Sequence, residues 1–131
     1  MTAIAEPQRD LMTSPVADLS MLTGTWLNTN EQSTGIVKMT AEDVGGVLVM
    51  HLWGAAENGS VDWGPTNATV FFERNDEGME QPFTARWEFD FMTVIAQGFL
   101  RQGVLVILSF TRFHDGSPRS DYFSKEFFSR V

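Results

Sequence analysis

The sequence predicts an all-β domain, an eight-stranded antiparallel up-and-down barrel with a short N-terminal arm or helix. Two observations carry this. From Gly24 onward, β-branched and aromatic residues come in short runs broken by Gly, Asn, Asp and Pro. The connections are mostly hairpin-short, and sequential antiparallel strands in that number either close into a barrel or stack as a sandwich. Closure removes the unpaired edges.

The elements follow in order. Residues 1–19 are read as the arm, with a short helix around Ala17 to Leu22, and residues 20–131 as the barrel. The strands are expected at Gly24 to Thr29, Gly35 to Ala41 and Gly46 to Gly54, the last two joined by the turn Asp43-Val44-Gly45-Gly46. A loop, Ala56-Glu57-Asn58-Gly59-Ser60, leads into Val61-Asp62-Trp63-Gly64-Pro65, where Trp63 forms a lid over the barrel mouth or caps the core. The fourth strand is Asn67 to Glu73, followed by the turn Asn75-Asp76-Glu77-Gly78. Phe83 to Phe91, Thr93 to Leu100, Val104 to Phe113 and Asp121 to Arg130 complete the set.

Composition narrows the class. At 131 residues the chain is one domain by length, and should bury roughly two-thirds of its unfolded surface without staples. There is no cysteine, which excludes a catalytic thiol, a thiolate zinc site and a redox motif. Seventeen acidic residues against nine basic give a net charge of −8, which disfavours nucleic acid and anionic membrane as partners. No run approaches the ~18 apolar residues of a membrane span. The first ten residues lack the basic start and apolar run of a secretory leader, so a cytoplasmic location is expected. No phosphate-cradling glycine loop, Gly-x-Ser-x-Gly nucleophile or metal-ligand spacing occurs, and no cofactor or metal is expected.

Alternation then separates the faces. Ala85, Trp87, Phe89 and Phe91 share one side of their strand, and Arg86, Glu88 and Asp90 the other. The third, seventh and last strands are apolar on both sides, so a second cover is needed outside the wall. Self-association supplies it, unless the N-terminal arm folds over that surface. We expect a homo-oligomer.

The residues around Leu22-Thr23-Gly24-Thr25-Trp26-Leu27-Asn28 resemble the calycin superfamily, which includes lipocalins, fatty-acid-binding proteins and avidins. Its first barrel strand opens with Gly-x-Trp. The resemblance implies that Trp26 plugs one barrel end beneath a basic residue of the last strand, either Lys125 or Arg130. The avidin branch, with Gly-x-Trp-x-Asn, is the nearest likeness, matched by Gly24, Trp26 and Asn28, and it covers about residues 20 to 130. Asn28 and Ser33 match family positions that touch ligand. The chain departs from that pattern at His51 and Leu52, where the family has a tyrosine, and at Phe113, where it has a tryptophan. Biotin binding is therefore not carried over.

Three functions stay open. The first is binding of a small hydrophobic or ring-containing molecule inside the barrel, with Trp26, Asn28, Trp53, Trp63, Arg86, Trp87, Phe89, Arg112 and Tyr122 as candidate contacts. Sixteen aromatics in a short chain motivate it. The second is a cofactor-independent isomerase or cyclase in the same chamber, with His51, Glu88 or Asp90 as acid or base if their faces point inward. Otherwise Arg86, Glu88 and Asp90 form a solvated stripe, and Arg112 with Glu126 a cross-strand ion pair. The third is assembly alone, which an interior filled by side chains would favour.

Overall fold

The computed structural model describes residues 18–72 and 80–131. Residues 1–17 of the expected arm, the end of the expected fourth strand at Glu73 and the turn Asn75-Asp76-Glu77-Gly78 lie outside them. Eight strands form a closed barrel in which every neighbour is antiparallel: β1 (Gly24–Asn28), β2 (Ile36–Val44), β3 (Val47–Ala56), β4 (Gly59–Val70), β5 (Glu80–Glu88), β6 (Met92–Arg101), β7 (Val104–Phe113) and β8 (Tyr122–Arg130). β8 returns to pair with β1, Asn28 opposite Phe128, so no edge remains.

A 3₁₀ turn, Leu19–Met21, precedes the barrel, within the helix expected around Ala17 to Leu22. Asp18 starts it by accepting from the Ser20 amide at 3.1 Å. Leu19 and Leu22 bury beneath the barrel floor. Trp26 stands on that floor, its indole nitrogen donating to the Leu22 carbonyl at 2.8 Å. The Arg130 guanidinium lies 4.7 Å from the Trp26 ring centre and also donates to the Ser20 and Met21 carbonyls. Of the two cations the sequence offered, Arg130 covers the plug. Lys125 sits outside, 5.8 Å from the Phe127 ring.

Above this floor the interior is filled. Trp26, Met39, Leu48, Met50, Leu52, Phe83, Leu105 and Phe128 are buried together. An apolar chamber running through the barrel is therefore not what these residues build; the open volume described below is at the opposite end. Alternation along β8 turns Tyr122, Ser124, Glu126 and Phe128 inward and Phe123, Lys125 and Phe127 outward.

Two elements depart from expectation. β4 begins at Gly59 and absorbs Val61-Asp62-Trp63-Gly64-Pro65, so this segment is wall rather than a lid loop. The turn before it shrinks to Glu57-Asn58, because Ala56 already pairs with Gly59. β5 ends at Glu88: the Phe89 amide donates to the Met92 carbonyl at 2.8 Å, and the chain reverses through Asp90 and Phe91. Phe91 is therefore an exposed rim residue rather than a continuation of the Ala85, Trp87, Phe89 face.

Candidate functional site

The mouth lies at the end opposite Trp26, and a β-bulge shapes one side of it. Leu52 pairs with Gly64 and Trp53 with Asp62, which leaves Trp63 as the extra residue of β4. Gly64 supplies the required backbone at φ +82. The Asp62 carboxylate locks the bend by accepting from the Gly64 amide at 2.7 Å. Trp63 turns inward over Gly54, where a β-carbon would stand 2.5 Å from the indole nitrogen. Trp87 donates its own indole N–H to the Gly64 carbonyl. Pro65, lacking an amide hydrogen, is tolerated beside this irregularity.

Aromatic rings continue from Trp63 toward the rim. Phe89 meets Trp63 edge-on at 6.1 Å and stacks on Phe91 at 5.9 Å, and Phe113 lies 6.2 Å from Tyr122. Arg119, from the β7–β8 loop, rests 4.2 Å from the Phe113 ring centre and 5.5 Å from that of Phe91. Asp115 holds it by accepting at 2.6 Å. The Ser117 side chain and amide, then Arg119, bring the Asp115 carboxyl down to about 2.

The facing side is polar. Asn28 closes β1 and donates to the Ile36 carbonyl at 2.8 Å and to the Glu126 carboxylate. The β1–β2 loop is held by its own side chains, Asn28 accepting from the Asn30 amide and Asn30 from the Gln32 amide. This presents the Ser33 hydroxyl, which donates to the same Glu126 oxygen, Oε2, and accepts from the Gly35 amide at 3.1 Å. The other oxygen, Oε1, lies over Gly35, 2.6 Å from where a β-carbon would be. Ser109 and Ser124, paired across β7 and β8, share a hydrogen bond of 2.7 Å. Ser33, Gly35, Tyr122, Ser124 and Glu126 line an open pocket of about 300 Å³.

The sequence-derived candidates divide accordingly. Asn28 and Tyr122 border the mouth, and Trp63, Trp87 and Phe89 form its aromatic side. Trp26 is the buried plug of the opposite end and has no access to it. His51 and Trp53 lie on the outside of β3, stacked at 4.0 Å, with Lys38 4.7 Å over Trp53 and Asp62 bonded to His51. Strand alternation puts them there, because Leu52 and Gly54 take the inward positions. Trp53, named with Trp63 as a candidate contact, is on the other side of the wall from it. Arg86 and Glu88 bond to each other on the outer face, a solvated stripe, and Asp90 is exposed in the turn. None of His51, Glu88 and Asp90 faces the barrel interior, the condition on which their reading as acid or base rested.

Arg112 does not pair with Glu126. It points outward, 3.8 Å from Asp121, while Glu126 opposes Ile107 and points inward. Glu126 was legible in principle: once Phe128 is inward, the residue two before it is inward too. Its partners were not, because Ser33 reaches it from 93 positions away. Compared with known family models, curated proteins and solved structures, the chain matches none.

Proposed function

We propose that the protein binds a small ring-containing molecule in the mouth of the barrel, with its polar edge on Glu126 and its ring toward Trp63, Phe89 and Tyr122. The observation that carries this reading is the Glu126 carboxylate, held by Asn28 and Ser33 on Oε2 at the edge of a 300 Å³ pocket. A carboxylate accepts at both oxygens, so Oε1 keeps capacity for a ligand N–H or O–H. Ser124 and Tyr122 add hydroxyls that donate or accept. A ring bearing adjacent donor and acceptor groups, as in cyclic amides and ureas, satisfies this set, and such ligand volumes fall at the small end of ordinary sites. We further infer a calycin-like relationship, supported by the Trp26 plug beneath Arg130 and the 3₁₀ turn that closes the floor.

The test is titration of tryptophan emission and of heat against a panel of cyclic amides, cyclic ureas and apolar aromatic rings. Saturable binding by a polar-edged ring, weakened about tenfold to a hundredfold in Glu126→Gln, is expected, since hydrogen bonds to a charged group contribute about 1.5–3 kcal/mol. Saturation by none of the panel, or equal binding by the variant, refutes the reading.

A further inference from the structure

A separate groove of about 800 Å³ runs over the outer wall of β5 to β8, at the mouth end of the barrel. Alternation turns Thr93, Ile95, Phe110 and Arg112 outward, because Met92, Val94, Ser109 and Thr111 take the buried positions of β6 and β7. Register sets them in two rows. Thr93 stands opposite Arg112 in the upper row, and Ile95, Phe110 and Phe123 run across the lower one. The lower row is apolar and open, with Ile95 39% exposed, Phe110 44% and Phe123 55%. Its two phenyl rings lie 5.1 Å apart and tilted.

The upper row supplies donors. Thr93 Oγ1 lies 3.3 Å from His114 Nε2, and both line the groove. Arg86 is already engaged, since Glu88 accepts from its Nε at 2.9 Å and from Nη2. Arg112 is not. The carboxylate beside it, Asp121, comes only to 3.8 Å, beyond hydrogen-bond length, and its other oxygen accepts from the Phe113 amide at 2.9 Å. Among the described residues no acceptor meets the Arg112 guanidinium, whose N–H donors form a planar fork.

We propose that this groove binds a small aromatic acid, its carboxylate on Arg112, Thr93 and His114 and its rings across Phe110 and Phe123. Charge selects the ligand. The groove's lining sets Arg86, Arg112 and His114 against one carboxylate, Asp121, on a chain whose net charge is −8. With Arg86 offset by Glu88, Arg112 is the cation left to be paired, and a carboxylate matches its fork at two points. A cationic ligand would face the same guanidinium and be repelled. Geometry selects the size. The two rows are two residues apart along each strand, about 6.6 Å, so one fused-ring acid spans head and body. The groove's volume is that of ordinary small-molecule sites. The mouth cannot substitute for it, because Glu126 repels a carboxylate there.

Calorimetric titration of the full chain with naphthoate, naphthalenemethanol and naphthylmethylamine tests the proposal. Naphthoate should saturate one site, and the uncharged alcohol and the protonated amine should bind about tenfold more weakly or less. Arg112→Gln should weaken naphthoate about tenfold and bring it level with the alcohol, whereas Glu126→Gln should leave it unchanged. The Arg112 side chain is 81% exposed, so this variant keeps its fold. No saturation by naphthoate, equal binding of all three probes, or a loss in Glu126→Gln in place of Arg112→Gln overturns the proposal. Sedimentation reads the rival occupant: a dimer that Phe110→Lys splits, with naphthoate unbound, gives the wall to a second copy and overturns it too.

Discussion

The Trp87 indole nitrogen donates to the Gly64 carbonyl at 3.0 Å, tying the core of β5 to the bulge of β4. That bond joins two features with separate origins. Trp87 is inward by simple alternation, whereas the Gly64 carbonyl is aimed at it only because the bulge bends the strand. The aromatic side of the mouth depends on that bend.

Filling the space under Trp63 should displace it. In Gly54→Ala the new methyl would lie 2.5–2.6 Å from three indole atoms. Neighbouring backbone fixes the site, so the indole must leave its place. A loss of about 1–3 kcal/mol is expected, in the range of overpacked cores, with a red shift of tryptophan emission. Urea unfolding read by fluorescence checks both.

Gly35 offers the matching probe on the polar side. A methyl there would meet Glu126 Oε1 at 2.6 Å, and a carboxylate on a side chain yields more readily than a buried ring. Gly35→Ala should therefore weaken ring-ligand binding several-fold while moving the melting temperature little. Calorimetry of binding and of unfolding on the same sample separates the two effects.

The floor of the barrel distinguishes the two cations. Arg130→Met removes the charge over Trp26 and the bonds to the Ser20 and Met21 carbonyls, and should cost about 1–2 kcal/mol. Lys125→Met touches neither and should leave the floor unchanged. Trp26→Ala, which empties a fully buried site, should cost about 3–5 kcal/mol. Denaturant midpoints of the three variants rank these losses.

Acid should release the bulge from outside. Asp62 accepts from His51 and from the Gly64 amide, and those bonds hold its carboxyl below the ordinary 3.8. A lowered folded value means that the stabilisation is fully present above the ordinary value and is lost as pH falls through the folded one. Near-ultraviolet circular dichroism between about pH 5 and pH 2 should therefore show a tryptophan transition below 3.8. Asp62→Asn should abolish it.

Much of the architecture was legible in the residues. Runs of Val, Ile, Phe and Thr between turn formers located the strands, because the period of two and the turn chemistry are local properties. The Asp62-Trp63-Gly64-Pro65 segment misled for the same reason. Gly and Pro ordinarily mark a loop, and only pairing with β3 shows that here they mark a bulge. At His51, alternation alone left the inward face undecided, since both sides of that strand are apolar.

The amino-acid order by itself determined the number and order of the strands, the excess of negative charge and the Gly-x-Trp start of the barrel. Only tertiary structure decided which face of each strand is wet, which cation covers Trp26, and that Asn28, Ser33 and Glu126 share one oxygen. Strand and turn preferences act over a few residues, whereas closing the barrel brings together groups more than ninety positions apart. No local pattern specifies such a meeting. It follows from register, which every strand sets together.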